Sequence, residues 1–173
     1  IKYLKINSSH TTINTMPMGY SYGLSIINTH LSSGSKIVIT KKTVFDKDFW
    51  NIVKKYKITS FGGVPQFYEQ LKKLRFENLD LPNLKYLTQA GGKLDDNSLE
   101  YFEKICKKNK IKFIAMYGQT EAGPRMSYLA WSKFSKKLGS IGKALEGSKF
   151  QILSKTGKQI KKPFTTGELI YFG

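Results

Sequence analysis

Cysteine and histidine are almost absent from this chain of 173 residues, and their scarcity excludes several kinds of site. The single cysteine, Cys106, has no second cysteine with which to form an internal disulfide. Its place in the apolar rhythm of a helix is typical of a buried thiol, so a cytoplasmic protein is expected. The only histidines, His10 and His30, lie far apart and lack metal-ligand spacing, which argues against a zinc site.

Arginine and acidic residues are scarce beside lysine. The chain has 29 basic and 12 acidic residues and a formal net charge of +17. Only Arg75 and Arg125 are arginines, although arginine is the residue suited to bidentate phosphate and base contacts. The lysines are spread along the chain and favour a solvated basic face. A basic nucleic-acid-binding domain is therefore the less favoured alternative, and nucleic acid is not expected as a partner.

Long apolar runs are also missing, so no membrane span is expected. The segment from Ile1 to Lys5 does not have the layout of a signal peptide. An apolar fraction of 40% is ordinary for a globular protein, and the length is sufficient for one domain with its own core.

Short β-branched and apolar runs alternate with helical patterns through most of the chain, which predicts an α/β fold with a parallel sheet flanked by helices. Residues 1–18 are interpreted as a lead-in with a strand-like start. Strands are expected at 36–40, 58–61, 84–88 and 111–116, and helices at 19–31, from Asp46, at 65–74 and at 95–109.

The pattern changes after Gly118. Residues 149–153 and 169–172 are predicted to form antiparallel strands, with a turn signal at 156–158. We therefore expect residues 1–145 to form the α/β subdomain and residues 146–173 to begin a small antiparallel β subdomain.

The most informative stretch follows the apolar run 113–116. Tyr117 is suited to stack on a base, Thr120 to donate a hydrogen bond to a phosphate oxygen, and Glu121 to bind Mg²⁺. Ligands of open α/β sheets bind outside the carboxyl ends of the strands. The alternatives are a core position for Tyr117, an N-cap role for Thr120 and a carboxylate at a helix N-terminus for Glu121.

Residues 117–121, Tyr-Gly-Gln-Thr-Glu, resemble the Tyr-Gly-x-Thr-Glu signature of the AMP-forming adenylating enzymes. This superfamily comprises the acyl-CoA synthetases, the luciferases and the adenylation domains of peptide synthetases. Further segments resemble the family in the same order, and together they cover essentially the whole chain: 16–23, 59–68, 89–94, 139–142 with Gly147, and 167–173.

The resemblance implies roles for individual residues. Thr120 and Glu121 are the expected catalytic residues, and Glu121 is also the expected magnesium ligand. The residues expected to bind ATP or AMP are Gly91, Gly92, Lys93, Tyr117, Gly118, Gln119 and Thr120. The residues expected to bind the carboxylic acid are Tyr20, Gly62, Gly63, Ala90 and Arg125.

Some of these assignments have plain alternatives. Gly91 and Gly92 also suit an ordinary turn between a strand and a helix, and Arg125 also suits a surface charge. Three positions depart from the family pattern. Lys93 and Glu146 stand where proline is common, and Tyr20 stands where histidine is commoner, which leaves the acid specificity open.

The resemblance also implies the overall activity, in which a carboxylic acid and ATP with Mg²⁺ give an acyl-adenylate. Coenzyme A or a phosphopantetheine carrier protein then accepts the acyl group. The family's phosphate loop is expected before residue 1, and its ribose-binding aspartate and C-terminal domain beyond Gly173. The chain is therefore expected to be a central fragment, inactive alone, of such a ligase. The alternative is a module that binds a nucleotide or acyl ligand without turnover.

Overall fold

The structure, a computed structural model, describes residues 2–173 and contains a seven-stranded sheet. Its strands are Thr11–Asn14 (β1), Lys36–Ile39 (β2), Ser60–Gly63 (β3), Tyr86–Gln89 (β4), Lys112–Gln119 (β5), Gly123–Leu129 (β6) and Lys143–Ala144 (β7). They lie in the order β2-β1-β3-β4-β5-β6-β7. The first five are parallel, and β6 and β7 are antiparallel to their neighbours. The predicted parallel α/β fold is confirmed.

Five helices flank this sheet within the described residues: Ser21–Leu31 (α1), Lys47–Lys55 (α2), Pro65–Lys73 (α3), Asp96–Lys108 (α4) and Trp131–Phe134 (α5). Pro65 stands at the first turn of α3, where its missing N–H costs nothing. Asp95 caps α4 by accepting a hydrogen bond from the Ser98 N–H at 2.9 Å. The hydrogen bonds from Ser98 hold the pKa of the Asp95 carboxyl below its usual value.

The two faces of the sheet carry separate cores, and β5 contributes to both. Phe113 belongs to the larger core, which is formed with α2 to α5, whereas Ile114 and Met116 belong to the smaller core beneath α1. This division follows from the strand geometry, because successive side chains of a strand point to opposite faces.

Two strands differ from the sequence prediction. Residues 2–4 form a 3₁₀ turn, not a strand, and β1 lies within the stretch interpreted as a lead-in. β1 is fully buried although three of its four residues are polar. The Thr59 hydroxyl accepts from the Thr11 N–H at 3.0 Å and donates to the Thr11 carbonyl at 2.9 Å. Because such bonds satisfy its polar groups, β1 needs no apolar pattern.

The other difference is at β5, which the sequence predicted to end at Met116. It continues to Gln119 and turns directly into β6, which was not predicted. Gly123 and Pro124 of β6 are poor strand formers. Proline is tolerated here because the register between β5 and β6 shifts between Tyr117 and Gln119.

The last two strands, Lys149–Leu153 (β8) and Glu168–Phe172 (β9), form a separate antiparallel sheet as predicted. The division into domains at residue 145 stays a prediction. Ile1, in the predicted lead-in, lies outside the described residues. None of the helices described between residues 2 and 173 has the length and apolar character needed to cross a membrane.

We expect Phe113→Ala to lower the free energy of unfolding of this chain by about 3–5 kcal/mol. Phe113 is fully buried, and its ring lies 5.1–5.8 Å from the rings of Tyr68, Phe102 and Phe134. Denaturant unfolding measures the change. The matched control is Phe164→Ala at a fully exposed position, where a change within about 0.5 kcal/mol is expected. Equal effects of the two substitutions would contradict this account of the core.

Candidate functional site

A cleft of about 780 Å³ opens at the carboxyl ends of β4 and β5. This volume lies within the range of ligand sites in proteins. Its lining is drawn from four places in the chain: the start of α1, the loop after β4, the end of β5 with its turn, and residues 139–141. The expected position outside the carboxyl ends of parallel strands therefore coincides with the largest of the described cavities.

The end of β5 forms one wall of the cleft. Gln89, the last residue of β4, pairs with Ala115, so β5 extends beyond its neighbour from Met116 to Gln119. Thr120 and Glu121 follow in an exposed hairpin turn. They precede a strand and not a helix, which excludes the N-cap and helix N-terminus interpretations of these two residues.

Tyr117 and Gln119 sit on this wall with exposed or half-exposed side chains. The Gln119 amide donates to the Tyr117 hydroxyl at 3.0 Å, and the Tyr117 ring lies 6.4 Å from that of Phe150 in β8. Tyr117 is half-buried and lines the cleft, so one part of its ring packs while another part faces the ligand space.

Gly118 allows β5 and β6 to approach closely beside the hairpin turn. A Cβ at this position would lie 2.2 Å from the Pro124 carbonyl carbon and 2.7 Å from the Arg125 nitrogen. Because both contacts are with backbone, no side-chain movement would relieve them. Only glycine fits this irregularity, and the position of Thr120 and Glu121 depends on it.

The loop after β4 forms the opposite wall with Gly91, Gly92 and Lys93. Gly91 has a φ of +79°, which favours glycine, and a Cβ there would lie 2.5 Å from the Tyr20 hydroxyl. Gln89 is buried and holds the loop, because its side-chain amide donates to the Gly92 carbonyl at 2.7 Å. The Lys93 ammonium lies 3.9 Å from an Asp96 carboxylate oxygen.

The first turn of α1 closes the third side. Tyr20 and Ser21 line the cleft, and the Ser21 hydroxyl lies 3.3 Å from that of Thr120. The chain thus brings residues 20–21 and 117–121 together although they are about a hundred positions apart.

Residues 19–23 also have the letters of the Gly-x-Ser-x-Gly nucleophile motif. That motif requires a strand before the serine and a histidine base beside it. Ser21 follows a turn, and its hydroxyl bonds to Thr120. The His10 ring bonds Asn7, and the His30 ring bonds Ile26 and Tyr86. Within residues 2–173, the geometry therefore does not support a serine nucleophile.

Four residues expected at the acid site do not line the cleft. Gly62 and Ala90 are buried beneath it, and Gly63 borders a separate cavity of about 210 Å³. Arg125 is half-buried between β6 and α1, so it is not a plain surface charge. The other expected residues all line the cleft: Tyr20, Gly91, Gly92, Lys93, Tyr117, Gly118, Gln119, Thr120 and Glu121.

Sequence reasoning missed several residues of the cleft. Gln89, Ser21 and Tyr22 adjoin predicted residues, and Ser140 lies in the glycine-rich run that carried the resemblance. Each of these residues could have been predicted from its position next to, or within, a family motif. The hydrogen bond from the Gln89 side chain to the Gly92 carbonyl could not be predicted from the sequence, because it depends on the folded path of the loop.

The cleft suits a nucleotide with its metal ion better than a metal alone. No cluster of three or more metal-ligating side chains occurs within residues 2–173. A single exposed carboxylate, Glu121, stands at the hairpin turn. Mg²⁺ in nucleotide sites is held by one or two carboxylates together with phosphate oxygens, so the donor set fits.

Comparison with known proteins agrees with this fold. The family model described as "AMP-binding enzyme" matches residues 1–173. Indoleacetate–CoA ligase of Aromatoleum aromaticum is 24% identical over 98% of the chain, and acetyl-coenzyme A synthetase of Dictyostelium discoideum is 26% identical over 82%. The chain spans 32% of the first protein and 22% of the second.

Solved structures show the same fold. O-succinylbenzoate coenzyme A synthetase of Bacillus subtilis, in complex with AMP, superposes with a TM-score of 0.82 at 22% identity. That match covers 98% of this chain and 34% of the other. A long-chain-fatty-acid–CoA ligase of Archaeoglobus fulgidus gives a TM-score of 0.83 at 19% identity, over 99% of this chain and 35% of the other.

The fold and the cleft thus define an α/β chain with the architecture of the N-terminal domain of adenylating enzymes. The chain belongs to the AMP-binding enzyme family.

We expect Gly118→Ala to destabilise the chain by about 1–3 kcal/mol, because the added methyl group would push β6 away from β5. Thermal or denaturant unfolding measures the loss. The matched control is Gly19→Ala, where no heavy atom lies within 4 Å of the added Cβ. An unfolding free energy of Gly118→Ala equal to that of the control would show that the close approach is dispensable.

Proposed function

We propose that this chain belongs to an ATP-dependent, AMP-forming acid–thiol ligase. The observation that carries the proposal is the meeting of Thr120 and Glu121 with the glycine loop of Gly91 and Gly92 across one cleft. Membership of the AMP-binding enzyme family supports it. Because the chain spans about a third of the first relative, the activity is proposed for the whole protein, and the 173 residues alone are proposed to be inactive.

In this proposal the nucleotide lies along the two walls. Gly91, Gly92 and Lys93 expose backbone groups to the adenine side, and Tyr117 offers its ring face. Thr120 donates its hydroxyl to the α-phosphate, with Gly118 and Gln119 beside it. The Ser21 hydroxyl, 3.3 Å away, restricts the rotamers of Thr120. These groups position the phosphate and stabilise its charge, which is most of what phosphoryl transfer requires.

The acid is proposed to enter between Tyr20 and the end of β5, with Gly62, Gly63 and Ala90 supporting the wall from below. One oxygen of its carboxylate attacks the α-phosphorus of ATP, and the bond from that phosphorus to the bridging oxygen breaks. Pyrophosphate leaves and an acyl-adenylate forms. A thiol then attacks the acyl carbonyl and releases AMP.

Glu121 is the proposed magnesium ligand. When bound, Mg²⁺ neutralises the phosphate oxygens on which negative charge accumulates. Glu121 suits this role because it is exposed at the hairpin turn and forms no ion pair among the pairs described between residues 2 and 173.

The thiol is proposed to be coenzyme A or the phosphopantetheine arm of a carrier protein. Coenzyme A is favoured because the similar proteins are named as CoA ligases or coenzyme A synthetases. A cytoplasmic location is part of the same proposal and rests on the single, buried Cys106.

Acid-dependent exchange of pyrophosphate into ATP by the natural full-length protein tests the proposal, with a panel of carboxylic and amino acids. Glu121→Ala should lower the exchange rate about 100-fold or more, since it removes a group that acts on transition-state charge. Glu100→Ala is the matched control, because it removes one carboxylate from an exposed position on α4. That variant should keep the wild-type rate.

Two results would contradict the proposal. If none of the acids supports exchange, in a protein that circular dichroism shows to be folded, a binding module without turnover would be favoured. Equal exchange by Glu121→Ala and Glu100→Ala would remove Glu121 from the mechanism.

A further inference from the structure

Arg125 is a cation enclosed between a strand and a helix. It lies on β6, and its Nη1 donates to the Thr29 hydroxyl of α1 at 3.0 Å. Its guanidinium carbon lies 6.0 Å from the centre of the Tyr22 ring. Thr29 is already engaged, because its hydroxyl donates to the Ser25 carbonyl at 2.6 Å. The Tyr3 hydroxyl is also placed for a hydrogen bond with Arg125, so the guanidinium is held by two neutral hydroxyls and one aromatic ring.

No carboxylate among residues 2–173 forms an ion pair with Arg125. The four ion pairs among residues 2–173 are Lys2–Glu146, Lys42–Asp48, Lys93–Asp96 and Lys107–Glu103. None of them includes Arg125. Its Nε–H is buried and has no hydrogen-bond partner within these residues.

The titratable groups that feel the Arg125 charge are neutral at pH 7. Burial raises the pKa of Tyr3, raises that of Tyr22, and raises that of Tyr86 to about 12. Burial lowers the pKa of His30, and the charge of Arg125 lowers it further. The guanidinium is therefore surrounded by neutral groups, an arrangement that costs free energy unless an anion completes it.

The cation lies directly behind the acid side of the cleft. Tyr22, whose ring faces the guanidinium, also lines the cleft, and so does Pro124, which precedes Arg125 in β6. Arg125 keeps partial exposure, whereas Tyr22 is only 1% exposed. Arg125 does not itself line the cleft, but its neighbours Tyr22 and Pro124 do, and part of its own surface stays exposed.

The space beyond Tyr22 is filled. A Cβ on Gly62 would lie 2.5 Å from Ile26 and 3.3 Å from the Tyr22 hydroxyl. The Tyr22 hydroxyl is itself within 2.9 Å of the Thr88 hydroxyl. This packing closes the space between Tyr22 and the sheet, which favours a compact acid over a long alkyl chain.

We infer that the acid is a short dicarboxylic acid, one carboxylate of which reacts while the other is bound by Arg125. This inference rests on the proposed ligase function and specifies the substrate of the same cleft. Arginine matches a carboxylate with a planar pair of donors, which suits Arg125 to bind the second carboxylate. A monocarboxylic acid of the same length leaves the guanidinium without its partner.

Pyrophosphate exchange by the natural full-length protein tests the inference with acids paired by chain length: succinate with butyrate, glutarate with pentanoate, and adipate with hexanoate. At least one diacid should have a KM well below that of its monoacid. In Arg125→Met this KM should rise at least about 30-fold, because loss of one partner of an enclosed charge pair costs about 2 kcal/mol or more.

Arg75→Met is the matched control, since Arg75 is the other arginine and is exposed at the turn after α3. It should keep wild-type constants for both kinds of acid. If Arg125→Met melts at a lower temperature than wild type, Arg125→Lys decides, because it keeps the charge. That variant lacks the planar pair of donors, so its preference for the diacid should be smaller than that of the wild type and larger than that of Arg125→Met; equal preferences in the two variants would overturn the inference.

Equal use of monoacids and diacids by the wild type would overturn the inference while the ligase function stands. So would an unchanged diacid KM in Arg125→Met. If no acid supports exchange, calorimetric titration with succinate, glutarate and adipate separates the two claims. A diacid that binds the wild type but not Arg125→Met would support the Arg125 subsite alone. Failure of all three to bind the wild type would overturn the subsite too.

Discussion

The contact between the backbone of Gly118 and that of Pro124 and Arg125 is the constraint on which the cleft depends. It lets β5 continue past the edge of the parallel sheet and turn back as β6 without a loop. Two consequences follow from one close approach. Thr120 and Glu121 are carried to the turn above the cleft, and Arg125 is set against α1. The hydroxyl contact between Thr120 and Ser21 then joins the turn to the start of that helix.

The cleft also depends on the division between the two cores. Along β5, Ala115 packs against the larger core and Met116 against the smaller core, and both line the cleft. The cleft therefore opens where the two faces of the sheet meet at its carboxyl edge. The loop of Gly91 and Gly92 lies on one side of this edge, and the side chains of α1 lie on the other. A ligand with two chemically different ends, such as a nucleotide joined to an acid, suits such a site.

Sequence patterns predicted the elements whose stability comes from apolar burial and failed where polar groups satisfy each other. α2, α3 and α4 were predicted because their buried residues recur at helical spacing. β1 was missed because Thr11 and Thr12 bond to the neighbouring strand, β3, and to Thr59 beside it. The linear motifs located the walls of the cleft, but they could not show the enclosure of Arg125. Its partner Thr29 lies 96 residues earlier in the chain, and its isolation from carboxylates is a property of the folded neighbourhood.

The large positive charge of the surface acts on ligands at long range, whereas recognition in the cleft requires direct contact. Among the residues that line the cleft, Lys93 and Glu121 are the charged ones, so the net charge of +17 is not concentrated there. A diffuse basic surface attracts anionic ligands at long range and is screened by salt. Recognition within the cleft has to come from backbone groups, hydroxyls and single charges held at fixed positions. Arg125 differs from the surface lysines in this respect, because enclosure shields its charge from salt and its geometry is fixed by Thr29. For this reason the proposed discrimination between acids is assigned to the enclosed guanidinium of Arg125, whereas the 27 lysines are expected to act mainly on the rate of encounter.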